Sequence, residues 1–180
     1  LRESLRNLHE MGIDALVIIG DDESMKGALV LQEAGFPTVA IPADIENDIY
    51  GTDMAIGVDA ALNTALEDID RIKDTASSRQ QAFLVETAGE TGYMALMVGI
   101  AGGAEMICIP EVPFNLKDVL HEVADAYVRG KQYCIITVAK GVEPDAVSIA
   151  DFIEQHKKET GFGVHLTILG YIQRGGSPTA

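Results

Sequence analysis

The sequence predicts an α/β protein built on a parallel β-sheet with helices on both faces. Short apolar runs alternate with helical patterns along all 180 residues, and this alternation is typical of parallel sheets. Hydrophobic residues make up 47% of the chain, so a packed globular protein is expected. No internal repeat and no low-complexity segment interrupts the pattern.

The individual elements follow from the spacing of the apolar residues. The predicted strands are 15–19, 38–41, 82–86, 105–109, 133–139 and 164–169. The predicted helices are about 1–11, 24–34, 53–77, 91–102, 116–129 and 145–160. The long helix is indicated by an apolar repeat close to 3.6 residues, formed by Met54, Ile56, Val58, Ala61, Leu62, Ala65, Leu66, Ile69 and Ile72.

Composition narrows the class of function. The chain has 28 Asp and Glu against 13 Lys and Arg, for a formal charge of −15, which disfavours binding to nucleic acid or to an anionic membrane. No apolar run reaches the length of a membrane span and no signal peptide is visible, so a cytoplasmic location is expected. Cys108 and Cys134 lie in apolar runs and are interpreted as buried free thiols. The chain starts with Leu1 inside a helical pattern and is interpreted as a fragment, or as a chain that has lost parts.

The candidate site lies in the segments that follow strands, because ligands of parallel sheets bind beyond the carboxyl ends of the strands. The turn G-D-D-E-S, residues 20–24, stands where backbone N–H groups usually meet a phosphate, yet it carries three carboxylates. Segment 42–53, P-A-D-I-E-N-D-I-Y-G-T-D, places acids at alternate positions of a loop. Segment 170–178, G-Y-I-Q-R-G-G-S-P, places Arg174 beside two glycines, which suits contact with an anion.

In this order, the segments resemble the 6-phosphofructokinase family. The resemblance rests on I-E-N-D-I-Y-G-T-D followed by I-G-V-D-A-A-L-N-T-A-L-E-D-I-D-R-I-K-D-T-A-S-S, on G-I-A-G-G-A-E-M-I-C-I-P-E-V-P-F and on L-G-Y-I-Q-R-G-G-S-P. It spans essentially the whole chain. It implies a Rossmann-like, three-layer phosphofructokinase fold with two domains, the first incomplete. Residues 1–53 and 171–180 would form part of a nucleotide-binding domain, and residues 54–170 a sugar-phosphate-binding domain.

The activity that the resemblance implies belongs to glycolysis. The family transfers a phosphoryl group from ATP or pyrophosphate to the 1-hydroxyl of fructose 6-phosphate, with Mg²⁺, often as an allosteric homotetramer. The resemblance assigns the nucleotide-phosphate turn to Gly20, Asp21, Asp22, Glu23 and Ser24. Within it, Asp22 matches the magnesium-associated aspartate, whereas Asp21 and Glu23 replace glycines.

Those two substitutions act against a phosphate. At about 4 Å, two like unit charges repel by ~1 kcal/mol in water and ~4 kcal/mol at an effective dielectric constant of about 20. Members of the family that use pyrophosphate carry an acid at the position of Glu23, but they also carry a lysine where this chain has Ala43. The phosphoryl donor therefore stays open between ATP and pyrophosphate.

The catalytic loop of the family, T-I-D-N-D, reads D-I-E-N-D in this chain. Glu46 replaces the catalytic base and is one methylene longer, and a displacement of ~1 Å can cost ~100-fold in rate. Asp44 replaces a threonine, and Asp48 is kept.

The substrate positions have changed as well. By alignment they are Gln81, Ala88, Gly89, Glu90, Lys140, His165, Tyr171 and Arg174. Gln81, Glu90 and His165 stand where the family has arginines, whose planar guanidinium suits phosphate. Lys140 replaces a sugar-binding glutamate and Tyr171 a histidine, so that only Arg174 is retained among the charged contacts.

The effector side shows fewer changes. Lys73, Glu111, Arg129 and Lys131 match charged residues of a site between subunits that binds ADP or phosphoenolpyruvate in bacterial members.

Three interpretations follow. The first is a catalytically impaired relative, which would be a regulatory or partner subunit or a degenerate copy, in a homo- or hetero-oligomer. The second is an active 6-phosphofructokinase with Glu46 as base and Arg174 holding the phosphate. The third is a divalent-cation-binding non-enzyme, for which six carboxylates would converge beyond two neighbouring strands: Asp21, Asp22, Glu23, Asp44, Glu46 and Asp48.

Overall fold

A computed structural model describes residues 1–76 and 80–178 of the chain. The chain divides into two compact units, Leu1–Val58 and Asp59–Ala180. Among the described residues, no helix is both long enough and apolar enough to cross a membrane.

The first unit contains a two-stranded parallel sheet. Its elements are α1 (Arg2–Glu10), β1 (Leu16–Gly20), α2 (Asp22–Glu33) and β2 (Thr38–Pro42). The pairing runs from Leu16 opposite Thr38 to Gly20 opposite Pro42, so both strands end at the same edge. At that edge, Ala43 donates a backbone hydrogen bond to the carbonyl of Gly20 at 2.8 Å, which holds the loop after β2 beside the turn after β1.

The second unit contains a four-stranded parallel sheet in the order β4-β5-β3-β6. Its elements in chain order are α3 (Val58–Ala76), β3 (Gln81–Thr87), α4 (Tyr93–Gly102), β4 (Met106–Cys108), α5 (Leu116–Val128), β5 (Tyr133–Ala139), α6 (Ala146–Gln155), α7 (Lys157–Thr160), β6 (Gly163–Ile168) and a 3₁₀ helix, η1 (Gly170–Arg174). The first residue of α3 belongs to the first compact unit.

Two apolar clusters make the second unit a three-layer structure. Helices α3 and α4 pack on one face through Ala65, Ile69 and Val98, against Val85 and Ile135 of the sheet. Helices α5 and α6 pack on the other face, and this larger cluster includes Val119, Val123, Ile149 and Ile153 against Leu84 and Ile136. Alternate residues of β3 and β5 serve opposite faces, as expected of strands that are buried on both sides.

The predicted fold class is confirmed, and every predicted strand and helix has a counterpart. The long helix, however, was predicted from 53 and begins at Val58. Gly57 has a φ of 102°, and the amide of Ile56 donates to the carbonyl of Pro42, so these residues form a loop despite their apolar spacing. The predicted end of that helix, residue 77, lies outside the described residues.

Another boundary differs in the helix predicted over 145–160, which is two helices that meet at His156. The 3₁₀ helix η1 was not predicted. Cys108 and Cys134 are buried free thiols, as predicted, and burial raises the pKa of Cys108 to about 12.

Candidate functional site

The turn after β1 is organised by one of its acids. Asp21 is the N-cap of α2, and its Oδ1 accepts hydrogen bonds from the amide of Ser24 at 3.0 Å and from the hydroxyl of Ser24 at 2.8 Å. These hydrogen bonds hold the pKa of Asp21 below its usual value, and the bond from the Ser24 amide has the larger effect. The first amides of a helix have no partner within the helix and can bind an anion, unless an N-cap side chain accepts their hydrogen bonds. The carboxylate of Asp21 therefore takes the place of a bound anion at the start of α2.

The other two acids of the turn share one cation. Lys26 Nζ lies 2.6 Å from Asp22 Oδ2 and 2.9 Å from Glu23 Oε1, and both contacts raise the pKa of Lys26. Asp22, which the resemblance assigns to Mg²⁺, is therefore paired with a lysine. Gly20 is required by close packing, because a Cβ there would lie 2.3 Å from Ser24 Oγ.

The loop after β2 is ordered by Asn47. This residue has a φ of 55°, in the left-handed region that Asn tolerates. Its Oδ1 accepts from the amide of Ala55 at 2.9 Å, and its Nδ2 donates to the carbonyl of Asp53 at 3.1 Å. Asn47 holds the ends of the loop together and was missed as a site residue, although an Asn between two acids in D-I-E-N-D was a visible signal.

The three acids of this loop differ in exposure. Asp44 and Glu46 are half-buried, and Asp48 is exposed. The part of the chain that the structure describes contains no group of three or more His, Cys, Asp or Glu side chains that could hold a metal ion. The predicted convergence of six carboxylates on a cation is therefore not found among the described residues. Mg²⁺ is usually held by one or two carboxylates together with substrate phosphates and water, and Asp22 would have to leave Lys26 to supply one of them.

A direct ion pair joins the ends of two neighbouring strands in the second unit. Lys140, which follows β5, donates from Nζ to the Oε1 of Glu90, which follows β3. The two loops approach so closely that a Cβ on Gly141 would lie 2.0 Å from the carbonyl oxygen of Glu90. Two positions that the resemblance assigned to substrate, 50 residues apart in sequence, thus bind each other.

A second acid stands near this ion pair. Glu86 is half-buried near the end of β3, and burial, followed by the charge of Asp145, raises its pKa. The charge of Lys140 acts in the opposite direction, and that of Glu90 adds to the rise. The edge of the sheet is therefore rich in negative charge, and its lysine is already paired.

The 3₁₀ helix η1 reaches the same edge through a buried amide. Gln173 is fully buried, and its Oε1 accepts a hydrogen bond from the amide of Ala88 at 2.7 Å. This contact brings the segment that carries Arg174 against the loop that carries Gly89 and Glu90. Sequence reasoning did not select Gln173, although its place between Ile172 and Arg174 in the specific I-Q-R motif was available.

Arg174, at the end of η1, contacts an aromatic ring of the same helix. The guanidinium carbon of Arg174 lies 5.3 Å from the centroid of the Tyr171 ring, a cation–π contact. Both side chains are exposed.

The structure separates two predicted substrate residues from this edge. Gln81 is the first residue of β3, whereas Glu90 follows its last, Thr87. His165 lies opposite Phe83 in the register of β6 on β3, and the two rings stack with centroids 5.8 Å apart. Gln81 and His165 therefore share a different part of the second unit from Glu90, Lys140 and Gln173.

The four predicted effector residues all have partners within the chain. Glu111 Oε1 accepts from the amide of Gly92 at 2.8 Å, beside the start of α4. Lys73 Nζ pairs with Asp70 at 3.0 Å. The remaining pairs are Arg129 with Glu122 and Lys131 with Glu105.

These features define an α/β protein whose parallel strands end in polar loops, the usual arrangement of a ligand-binding sheet edge. Residues 1–180 match the profile of the family described as Phosphofructokinase, and the chain therefore belongs to the phosphofructokinase family.

The sequence is 45% identical over 175 residues to the ATP-dependent 6-phosphofructokinase of Natranaerobius thermophilus; this match covers 97% of the chain and 54% of the relative. The chain thus spans about half the length of this relative. Among solved structures, it resembles phosphofructokinase from Pichia pastoris in the T-state, with a TM-score of 0.81 and 30% identity over 92% of this chain and 19% of that one. It also resembles pyrophosphate-dependent phosphofructokinase from Marinobacter aquaeolei, with a TM-score of 0.75 and 25% identity over 93% and 47% of the two chains.

Proposed function

We propose that this chain is a catalytically impaired phosphofructokinase, either a regulatory or partner subunit of a hetero-oligomer or a degenerate copy that forms a homo-oligomer, such as a tetramer. In this proposal, residues 1–53 and 171–180 derive from the nucleotide-binding domain and residues 54–170 from the sugar-phosphate-binding domain. By resemblance to the family, the proposed pathway is glycolysis and the proposed location is the cytoplasm. The ligands implied by the family are fructose 6-phosphate with ATP or pyrophosphate.

The ion pair between Lys140 and Glu90 carries the proposal. A sugar phosphate needs free cations, and an exposed lysine–carboxylate pair contributes only about 0–1 kcal/mol to folding. A ligand could break such a pair at little cost, but it would then meet Glu90 and the nearby Glu86. The charge balance at this edge therefore favours self-pairing over an anionic substrate.

The turn after β1 supports the same conclusion. The amide and hydroxyl of Ser24 both donate to Asp21, so they are engaged within the chain. Asp22 is paired with Lys26, which weakens its assignment to Mg²⁺. A nucleotide phosphate would have to displace a carboxylate that the chain itself supplies.

The effector site is a weaker part of the proposal. Binding of ADP or phosphoenolpyruvate by Lys73, Arg129 and Lys131 would require each cation to leave its carboxylate partner. The pair of Arg129 with Glu122 is exposed and therefore weak, whereas the carboxylate that Lys131 would leave, Glu105, is largely buried. We therefore propose Arg129 as the effector contact that a ligand would recruit most easily.

An active 6-phosphofructokinase is the second candidate, and the ordered loop around Asn47 favours it. The two bonds of Asn47 fix the backbone on which Glu46 stands as the replacement base. In this reading Arg174 would release Tyr171 and bind the sugar phosphate.

The test is a phosphoryl-transfer assay on the full-length protein with fructose 6-phosphate, Mg²⁺ and either ATP or pyrophosphate. We expect no turnover with either donor. The exchange variant Glu90→Arg/Lys140→Glu, which restores the charges found in the family, is expected to bind fructose 6-phosphate more tightly in calorimetry. A matched control is the exchange Arg6→Glu/Glu10→Arg on α1, which reverses another exposed pair. Turnover by the unmodified protein would overturn the proposal in favour of the second candidate.

A further inference from the structure

The loop between β3 and α4, residues 88–92, carries three positions that the family resemblance assigns to substrate. Two contacts hold this β3–α4 loop from neighbouring segments. Gln173 of η1, which follows β6, accepts from the amide of Ala88 at 2.7 Å. Lys140, which follows β5, donates to the carboxylate of Glu90. Both contacts act on the first three residues of the loop.

The end of the β3–α4 loop is held by Glu111, which lies in the loop after β4. Its Oε1 accepts a hydrogen bond from the amide of Gly92 at 2.8 Å. The strand order β4-β5-β3 places one strand between the two loops, so this bond spans the end of β5. The β3–α4 loop is thus tied to the segments that follow each of the other three strands of its sheet.

Helix α4 provides no anion of its own at its start. Its N-cap, Gly92, has no side chain, and its first turn contains no acid. The first amides of a helix lack partners within the helix and carry partial positive charge. A hydrogen bond from such an amide to a carboxylate is stronger than one between neutral groups. Glu111 therefore supplies, from a different loop, the cap that α4 lacks.

Gly92 and Glu111 also fit each other sterically. A Cβ on Gly92 would lie 2.2 Å from Oε2 of Glu111 and 2.5 Å from the Cβ of Ile109. The φ of Gly92 is −77°, which any residue can adopt, so close packing is the reason for the glycine. Because Gly92 is buried, water does not readily replace the bond to its amide.

From these contacts we propose that Glu111 is a positioning residue of the altered substrate site, because it fixes the end of the β3–α4 loop and thereby holds Glu90 against Lys140. The inference rests on the proposed function, in which that ion pair replaces the substrate contacts. Glu90 is two residues from the bonded amide of Gly92, so fixing this amide limits where its side chain can lie. The role needs no effector, and a carboxylate with about four lone-pair sites can still make the effector contact that the resemblance implies.

Three variants separate the reach of the side chain from its charge. Glu111→Gln keeps the length and an oxygen that can accept from Gly92, Glu111→Asp keeps the charge but is one methylene shorter, and Glu111→Ala has neither. Hydrogen–deuterium exchange of the full-length protein without ligand measures the amides of residues 88–92. We expect exchange about tenfold faster in Glu111→Asp and Glu111→Ala, and within about threefold of the unmodified rate in Glu111→Gln. The control Glu159→Ala, exposed on α7, should leave these rates unchanged.

A second readout distinguishes positioning of the site from general stability. The exchange variant Glu90→Arg/Lys140→Glu is titrated with fructose 6-phosphate in calorimetry. Adding Glu111→Asp to this variant is expected to weaken the affinity several-fold, whereas adding Glu111→Gln should largely preserve it. Circular dichroism checks that each variant is folded, and Glu111→Asp, the milder change, decides the test if Glu111→Ala unfolds.

Two results would overturn the inference. One is unchanged exchange of residues 88–92 in Glu111→Asp and Glu111→Ala, whatever the affinity for fructose 6-phosphate. The other is faster exchange spread evenly over the second unit, because Glu111 would then stabilise the whole unit rather than this loop. If the loop loosens as expected but the exchange variant gains no affinity for fructose 6-phosphate, the positioning role of Glu111 stands and the proposed function is contradicted.

Discussion

The amide of Ala88 donates a 2.7 Å hydrogen bond to the Oε1 of Gln173, and both residues are buried. The donor fixes the orientation of the side-chain amide, because only the oxygen of Gln173 can accept from a backbone N–H. The Nε2 of Gln173 then points to a place where none of the described residues offers an acceptor. A single buried amide thus ties η1 to the loop that carries Glu90.

The first prediction concerns this contact. Gln173→Leu leaves the buried amide of Ala88 without an acceptor and is expected to cost about 1–3 kcal/mol in the free energy of unfolding. Urea denaturation followed by circular dichroism measures the change. Gln155→Leu, at an exposed position on α6, is the control and should alter stability by less than about 0.5 kcal/mol. Equal stability of the two variants would contradict a supporting role for Gln173.

The second prediction compares Gly141, where a side chain would clash with a neighbouring loop, with Gly27, where a side chain has room. Gly141→Ala would place a Cβ 2.0 Å from the carbonyl oxygen of Glu90, so the two loops must separate. We expect a loss of about 1–3 kcal/mol in unfolding free energy.

Gly27 is the matched control for that substitution. It lies within α2, and a Cβ there meets nothing within 4 Å. Gly27→Ala should therefore stabilise the protein by about 0.5–1 kcal/mol, since Ala is the better helix former. Thermal and urea unfolding of both variants would show opposite signs; the same sign for both would refute the steric argument.

The third prediction concerns the N-cap of α2. Asp21→Ala removes the acceptor of both Ser24 bonds, and we expect the melting temperature to fall by roughly 2–4 °C. Asp22→Ala is the neighbouring control; it removes only an exposed contact with Lys26 and should change the melting temperature little. A larger effect at Asp22 than at Asp21 would show that the turn is organised by its lysine instead.

The fourth prediction concerns pH and Glu86. Burial raises the pKa of this carboxyl in the folded protein. Below the unfolded pKa, Glu86 is protonated in both states and does not lower the free energy of unfolding. As the pH rises through the folded pKa, the buried carboxyl becomes charged and the protein loses stability. Glu86→Gln should therefore melt at a higher temperature than the unmodified protein at pH 7. This advantage should vanish as the pH falls below about 4, where Glu86 is protonated in both states.

A control for the pH profile is Glu33→Gln at the exposed end of α2. Its melting temperature should follow that of the unmodified protein across the same pH range. A constant advantage of Glu86→Gln at all pH values would point to packing rather than to ionisation.

The sequence alone determined the succession of strands and helices, because the spacing of apolar residues is a local property. It also indicated that the polar segments would follow strands, and the specific L-G-Y-I-Q-R-G-G-S-P motif indicated the family. It misplaced the start of α3, because Met54 and Ile56 continue the helical spacing through a loop that Gly57 and the bond from Ile56 to Pro42 hold open.

Only the tertiary structure decided which of the altered residues meet. The sequence indicated that Glu90 and Lys140 have changed charge, but their ion pair depends on β3 and β5 lying side by side in parallel. Likewise, Asp21 was expected to repel a phosphate, and only the folded turn shows that the same carboxylate also caps α2 through its bonds with Ser24. The register of β6 on β3 likewise decided that His165 stacks on Phe83, away from the loops that carry Glu90 and Lys140. Such contacts depend on strand order and register, which join residues far apart in the chain and leave no local pattern in it.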